Sequence, residues 1–320
     1  MQRALRPAAA AVVAAAAAAC VPPPAAPAAP TTTTPAPAVT APAPTTTSST
    51  TTTTTVSGSD PFTITVRVNG TMTTNQQQAF ATASSRWAQM IRGDLPDTSL
   101  SIPADDCTDG MAAFNGSIDD LLIDARIATI DGPGGILGQA GPCYIRISGG
   151  LPLYGIMEFD AADVASLEAG GRLGDTILHE MGHVLGLGTL WSSKATGLGT
   201  SDPRFVGTAA VGVWNGWGGA GTVPIENTGG AGTRDGHWRE STFDNELMTG
   251  WLDSGSNPLS ALTVAALGDL GYTVDLAPAD TYGLPGLLAS MRSFSVAEHD
   301  HDPDLDLAAA EVLVSPRGAR

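Results

Sequence analysis

Two histidines and a glutamate stand close together near the middle of the chain, where residues 179–183 read HEMGH. On a helix, His179 and His183 lie one turn apart on the same face and can present two imidazoles to one metal ion. Glu180 lies beside the first imidazole and can hold a water molecule at that metal. The spacing therefore predicts metal-assisted hydrolysis, with one catalytic zinc ion as the expected metal. The alternative is a helix that carries two surface histidines.

The residues around this motif have the pattern of a helix with one buried face. Apolar residues recur at helical spacing, at Leu173, Ile177, Met181 and Val184. Gly186 follows them, and glycine is a common helix stop. A helix that ends just after its second ligand lets the chain turn, so that a third ligand can approach from elsewhere.

A third protein ligand is needed because a catalytic zinc ion usually has three protein ligands and a water molecule. The side chains that could supply it are His237, His299, His301, Glu226, Glu240 and Glu246.

The region around His237 resembles a known family. Residues 236–250 read GHWRESTFDNELMTG and residues 179–191 read HEMGHVLGLGTLW. Together they resemble the leishmanolysin family of zinc endopeptidases, in its smaller bacterial form, and the similarity extends roughly over residues 115–275. The resemblance implies that His237 is the third zinc ligand and that Met248 supports the metal site from a tight turn.

The same resemblance implies a mechanism. Glu180 would act as the general base on a zinc-activated water during peptide-bond hydrolysis. Thr189 occupies the place where other metzincins have a nearby third histidine, so the site requires the distant His237. Metzincins bind an extended substrate along an edge strand, and the candidate strand is 154–159, with the central residues Gly155, Ile156 and Met157.

The predicted order of elements indicates an α+β fold, since strands precede and surround helices without a repeating unit. The expected domain is metzincin-like, with a twisted, mostly parallel sheet packed on helices and the metal-binding helix at the cleft. Strands are predicted at 62–68, 121–130, 144–147 and 154–159, and helices at 74–92, after Asp160, at 173–185 and at 259–271.

The two ends of the chain are predicted to lie outside this domain. Residues 1–20 have a basic start and an Ala-rich run that ends at Cys20, which indicates a secretory signal. Cys20 is a candidate for lipidation, with simple cleavage or an uncleaved anchor as alternatives. Residues 21–60 are rich in Pro, Ala, Thr and Ser and predict a disordered linker. The peptidase domain is therefore expected at 61–285, and a flexible acidic tail at 286–320.

The net charge is −17. Such an acidic chain is unsuited to nucleic acid or to an anionic lipid surface, because both require Lys and Arg. The expected partners are protein or peptide substrates, and membrane contact is expected only through a lipid anchor at Cys20. We expect an exported monomer, extracellular or at the cell surface, including the case of a lipid-anchored outer-membrane protein.

Cys107 and Cys143 are the cysteines that remain after the signal. In an exported protein they predict a disulfide, which would stabilise the fold by about 4 kcal/mol in the chain-entropy model. Two unpaired thiols, or a switch in which Cys107 binds the metal, are the alternatives.

The tail holds a weak calcium-loop pattern. Acidic residues stand at the spacing of calcium ligands, but Leu305 occupies the position that requires glycine. A solvated acidic tail is favoured. The acidic positions are Asp300, Asp302, Asp304, Asp306 and Glu311.

Two other functions fit the same residues. The first is a surface binding or structural module that has the metzincin-like fold without catalysis. The second is a zinc hydrolase that acts on non-peptide substrates, such as an amidase. The presence of Glu180 with three histidines favours the peptidase.

Overall fold

The computed structural model describes residues 60–134, 137–230, 232–253 and 255–285, and the backbone of three short strands beyond them. The predicted signal with Cys20, the linker up to residue 59, His299, His301 and most of the predicted calcium loop lie outside the described residues. Within the described part of the chain, no helix has both the length and the apolar character needed to cross a membrane.

The described elements are strands and six α-helices. The strands are β1 (Ile64–Val68), β2 (Thr98–Ile102), β3 (Phe114–Ile118), β4 (Leu121–Ala128), β5 (Gly138–Ile145), β6 (Pro152–Asp160), β7 (Ala195–Thr196), β8 (Arg204–Phe205), β9 (Val223–Pro224), β10 (Trp251–Leu252), β11 (Leu305–Asp306), β12 (Glu311–Leu313) and β13 (Arg317–Gly318). The helices are α1 (Thr74–Met90), α2 (Ala161–Ala169), α3 (Leu173–Val184), α4 (Thr208–Gly216), α5 (Glu240–Phe243) and α6 (Ala261–Leu270).

The main sheet has the order β1-β4-β6-β5, and its strands are mostly parallel. β1, β4 and β6 run parallel, whereas β5 runs antiparallel to β6. β12 and β13 both pair with the outer edge of β5, in parallel. The prediction of an α+β fold is confirmed at this level, as a partly parallel sheet combined with helices. The tail predicted over 286–320 contributes strands to this sheet.

β6 lies in the interior of the sheet, so the prediction that its centre forms the substrate edge is wrong. Gly155 has a hydrogen-bonded partner strand on each side, at Ile123 and at Pro142. Every residue of β6 is buried, as is typical of an interior strand that is covered on both faces. Gly155, Ile156 and Met157 therefore form part of the core.

Gly155 lets the metal-motif helix lie directly on the sheet. A Cβ at this position would be 2.3 Å from Cγ1 of Val184 in α3 and 2.9 Å from the carbonyl oxygen of Gly141. Only a residue without a side chain fits under α3 here. The strand's contribution to the site is thus to support α3.

β5 was partly missed because its first half is rich in turn residues. Gly138, Gly141 and Pro142 interrupt the alternation that predicts a strand. Pro142 stands between the residues that pair with β12 and those that pair with β13, so it interrupts neither pairing. β5 therefore lies one place closer to the edge than β6, with only the short strands β12 and β13 beyond it.

Helices cover one face of the sheet and a hairpin covers the other. α1 and α3 pack together on the first face, where the indole Nε1 of Trp87 donates a hydrogen bond to the carbonyl oxygen of Leu178 at 2.9 Å. β2 and β3 form an antiparallel hairpin between the predicted helix at 74–92 and the predicted strand at 121–130, where the sequence predicts no strand. Its apolar residues pack with Cys143 in a second, smaller core.

Cys107 and Cys143 form the predicted disulfide, with their Cα atoms 6.0 Å apart. It ties the loop after β2 to β5, in the core on the hairpin side of the sheet. Among the described residues, neither cysteine is grouped with the histidines.

Removal of this disulfide should lower stability without affecting the metal site. We expect Cys107→Ser to lower the free energy of unfolding by about 4 kcal/mol, because a long loop regains its freedom in the unfolded chain. Denaturant unfolding, with reductant added to the wild type as a second comparison, measures this loss. A chelator titration of the same variant should give wild-type zinc affinity, and a large loss of zinc would contradict this placement of the cysteines.

Candidate metal centre

Helix α3 presents both histidines of the HEMGH motif toward the protein interior. His179 and His183 are 0 % exposed, and Glu180 between them is 1 % exposed. The helix ends at Val184, and Gly186 follows in a left-handed conformation with φ of 110°. The predicted helix and its glycine stop are therefore present. The chain turns away from α3 directly after the second histidine.

His237 meets the two helix histidines although it is far from them in sequence. The Nε2 atoms of His179 and His183 are 2.9 Å apart, and each lies 3.1 Å from Nε2 of His237. All three side chains are fully buried. The three histidines thus form a group that is capable of holding a metal ion.

Each imidazole is fixed by a hydrogen bond from its other nitrogen to a backbone carbonyl. Nδ1 of His179 donates to Leu247 at 2.6 Å. Nδ1 of His183 donates to Leu187 at 2.8 Å, and Nδ1 of His237 donates to Thr233 at 3.0 Å. A carbonyl oxygen can only accept, so Nδ1 carries the proton and Nε2 presents a lone pair in each neutral ring.

Burial keeps the rings of His179 and His183 neutral. Desolvation, together with the charge of neighbouring His237, lowers the pKa of His179 to about 3. Desolvation also lowers the pKa of His183 well below its usual value, with further lowering from His179 and His237. Neutral imidazoles are the form that binds metal.

The donor set fits a tetrahedral metal ion. Two nitrogen ligands of zinc, each about 2.0–2.1 Å from the ion, lie roughly 3.3 Å apart in tetrahedral geometry. The observed separations of 2.9–3.1 Å are close to this value. Three lone pairs that face one another without water would repel, and a cation among them turns that repulsion into attraction.

The loop that carries His237 is held against the end of α3 by a glycine contact. Gly188 has φ of 73°, and a Cβ there would lie 2.1 Å from the carbonyl oxygen of Gly236. Trp191 donates from Nε1 to the carbonyl oxygen of Asp235 at 2.9 Å. The segment just after the second histidine therefore positions the segment just before the third.

Met248 lies beneath α3, in the turn predicted to support the site. A Cβ added to Gly182 would be 2.7 Å from Sδ of Met248 and 3.1 Å from Cζ2 of Trp87. Gly182 stands between the two helix histidines, so the methionine packs on the part of the helix that bears them. The adjacent carbonyl of Leu247 fixes His179, as described above.

The three carboxylates considered as third ligands have other partners or positions. Glu226 accepts hydrogen bonds from the backbone of Asn227, Thr228 and Glu240. Glu246 accepts from residues of its own turn and of α6. Within the described residues, neither of these nor Glu240 is grouped with the histidines.

Sequence reasoning missed the groups that orient the ligands. Carbonyl oxygens have no sequence signature, so Leu187, Thr233 and Leu247 could not be identified in advance. The glycines offered a signal, since HEMGH and the GLG that follows it contain glycines at the points of closest backbone approach. Helix α4 was also missed, because the stretch 197–236 is rich in Gly and Thr.

Comparison with known proteins bears on the same region. Residues 219–284 match the model of the family Peptidase_M8, described as leishmanolysin. Leishmanolysin of Leishmania donovani is 29 % identical over 167 residues, which are 48 % of this chain and 28 % of that protein. The match thus spans less than a third of the relative's length. The resemblance to leishmanolysin that the motifs indicated is confirmed, and the family-model match contains His237 and Met248.

The contact between Gly182 and Met248 can be tested with a matched pair of variants. We expect Gly182→Ala to displace Met248 and to weaken zinc binding about tenfold, because the new methyl group overlaps Sδ. Gly174→Ala lies on the same helix with no atom within 4 Å, and should stabilise the helix by about 0.5–1 kcal/mol. Zinc titration and thermal unfolding compare the two, and equal zinc affinity in both variants would contradict the supporting role of Met248.

Proposed function

We propose that this chain is an exported zinc-dependent endopeptidase that hydrolyses peptide bonds. The observation that carries the proposal is the convergence of three buried imidazole Nε2 atoms within 3.1 Å, next to a glutamate in the helix motif. The similarity to leishmanolysin supports the reaction class. The mixed sheet, the α3 helix and the Met248 turn are consistent with a metzincin-like catalytic domain over 61–285.

The three histidines would hold the metal, and Glu180 would move the proton. Zinc, when bound, supplies a Lewis acid that polarises a carbonyl and acidifies water. Glu180 is next to the ligand His179 in sequence and is buried with it. As general base it would take a proton from water and later deliver it to the leaving amine.

An extended substrate would lie along β5. β6 pairs along both edges with the long strands β4 and β5, whereas the outer edge of β5 is paired only with the short strands β12 and β13. A peptide that adds to this edge would take the place of those C-terminal strands and gain main-chain hydrogen bonds to β5. Only 1 % of Glu180 is exposed. Entry of a substrate therefore also requires movement of the segments that cover this side chain.

The N-terminal sequence and the net charge add a location and a class of partner to the proposal. The signal pattern at 1–20 would direct the domain out of the cell, the linker at 21–60 would hold the domain away from a surface, and Cys20 would be the site of a lipid anchor. The acidic net charge fits a monomer that acts on protein or peptide substrates.

The assigned general base is tested by Glu180→Gln. We expect zinc content and fold to be unchanged and casein hydrolysis to fall by about 10²–10⁴-fold, because the amide cannot take a proton. Glu168→Gln, on the neighbouring helix α2, should keep wild-type activity. Activity is measured with and without a chelator, followed by zinc restoration.

Two outcomes would contradict the proposal. Retained hydrolysis in Glu180→Gln would remove Glu180 from the mechanism. A zinc-loaded wild type without chelator-sensitive hydrolysis of any protein substrate would instead favour a binding module that has the fold and the metal without catalysis.

A further inference from the structure

Glu246 is a buried carboxylate that the proposed reaction does not use. Its side chain is 0 % exposed, and it begins the turn Glu246–Thr249 that carries Met248. A buried charge is costly unless several hydrogen bonds satisfy it, so its position requires a structural explanation.

Four donors converge on this carboxylate. Oε2 accepts from the backbone N–H of Met248 at 2.7 Å. Oε1 accepts from Oγ of Ser260 at 2.6 Å, from the backbone N–H of Ser260 at 3.2 Å and from Oγ1 of Thr263. Both oxygens act only as acceptors, which is the hydrogen-bonding character of an ionised carboxylate.

Two electrostatic effects act on this carboxylate in opposite directions. Ser260 is the N-cap of α6, so Glu246 faces the positive end of this helix. Burial raises the pKa of Glu246, whereas the hydrogen bonds from Ser260, Thr263 and Met248 oppose that rise. Through these hydrogen bonds, the carboxylate joins the turn Glu246–Thr249 to the N-terminal end of α6.

The turn that Glu246 holds is in direct contact with one metal ligand and with the residue that follows another. Leu247 accepts the Nδ1–H of His179 at 2.6 Å. The next carbonyl, of Met248, accepts the backbone N–H of Trp238 at 2.9 Å, and Trp238 directly follows His237. One turn therefore fixes the ring of one ligand and the backbone beside another.

A second path connects Glu246 to the same tryptophan. Nε1 of Trp238 donates to Oγ1 of Thr263 at 2.8 Å. Indole nitrogen is a donor only, so the Thr263 hydroxyl accepts from Trp238 and gives its own proton to Glu246. The carboxylate thus reaches Trp238 through the backbone of Met248 and through the side chain of Thr263.

From these contacts we infer that Glu246 is a positioning residue for the metal centre, setting the spacing between His179 and His237. The inference rests on the proposed function, since it assumes that these histidines bind zinc. Glu246 acts through Leu247, Met248 and Thr263, and it does not touch the metal itself. This gives a role to a side chain that the sequence had offered only as an alternative third ligand.

The main test is Glu246→Gln in the full chain. In one orientation the amide NH₂ faces the N–H of Met248, and in the other it faces the N–H of Ser260, so one backbone donor always loses its acceptor. We expect zinc affinity, measured by competition with a chelator, to fall about 10–100-fold. The visible spectrum of the cobalt-loaded variant should also change, because it reports ligand geometry.

Asp160→Asn is the matched control. Asp160 is also a buried carboxylate that accepts from four backbone N–H groups, those of Ile130, Asp131, Gly132 and Ala162. Its loss should lower thermal stability while zinc affinity and the cobalt spectrum stay at wild-type values. A purely structural role for Glu246 would make the two variants alike.

A second pair of variants applies if Glu246→Gln does not fold. Thr263→Val removes the hydroxyl link and should weaken zinc binding about tenfold, whereas Thr263→Ser keeps the hydroxyl and should restore it. Wild-type zinc affinity in Glu246→Gln, or in Thr263→Val when the first variant is unfolded, would overturn the inference and leave the proposed function standing. A wild type that binds no zinc would overturn both.

Discussion

The structure depends on three neutral imidazoles whose lone pairs face one another in a buried site. Such an arrangement is unfavourable unless a cation lies among the three nitrogens, so each ring must be held in place by other groups. Three backbone carbonyls do this, at Leu187, Thr233 and Leu247. They belong to three separate segments of the chain. Much of the fold around α3 can be understood as the means of bringing these three carbonyls together.

Glycines let the segments around the site approach one another closely. Gly155 lets α3 lie on the sheet, and Gly182 lets the Met248 turn lie under α3. Where a side chain would keep two elements several ångströms apart, glycine brings them into direct contact. The cost is that a larger residue at either position requires Val184 or Met248, which pack beside the histidines, to move. The disulfide and the β2–β3 hairpin lie on the opposite side of the sheet, so that face can vary independently.

Local patterns in the sequence were sufficient to predict α3, the cysteine pair and the turn around Met248. Helical periodicity, cysteine chemistry and the ELMTG segment are all short-range signals. The position predicted for β6 was wrong because it depends on long-range contacts. A strand's place in a sheet is set by long-range pairing, and an apolar run such as 152–160 fits an interior strand as well as a half-covered one. β5 and α4 were missed because Gly, Pro and Thr suggest loops when the contacts that stabilise them are unknown.

The central claim is that His179, His183 and His237 together bind one zinc ion. Metal analysis of the purified full chain, combined with native mass spectrometry, tests it most directly in the wild type, in His237→Ala and in His299→Ala. We expect one zinc per chain in the wild type and in His299→Ala. We expect strongly reduced zinc in His237→Ala, because the two helix ligands alone bind zinc weakly. Stoichiometric zinc in His237→Ala, or loss of zinc in His299→Ala, would contradict zinc binding by the three histidines.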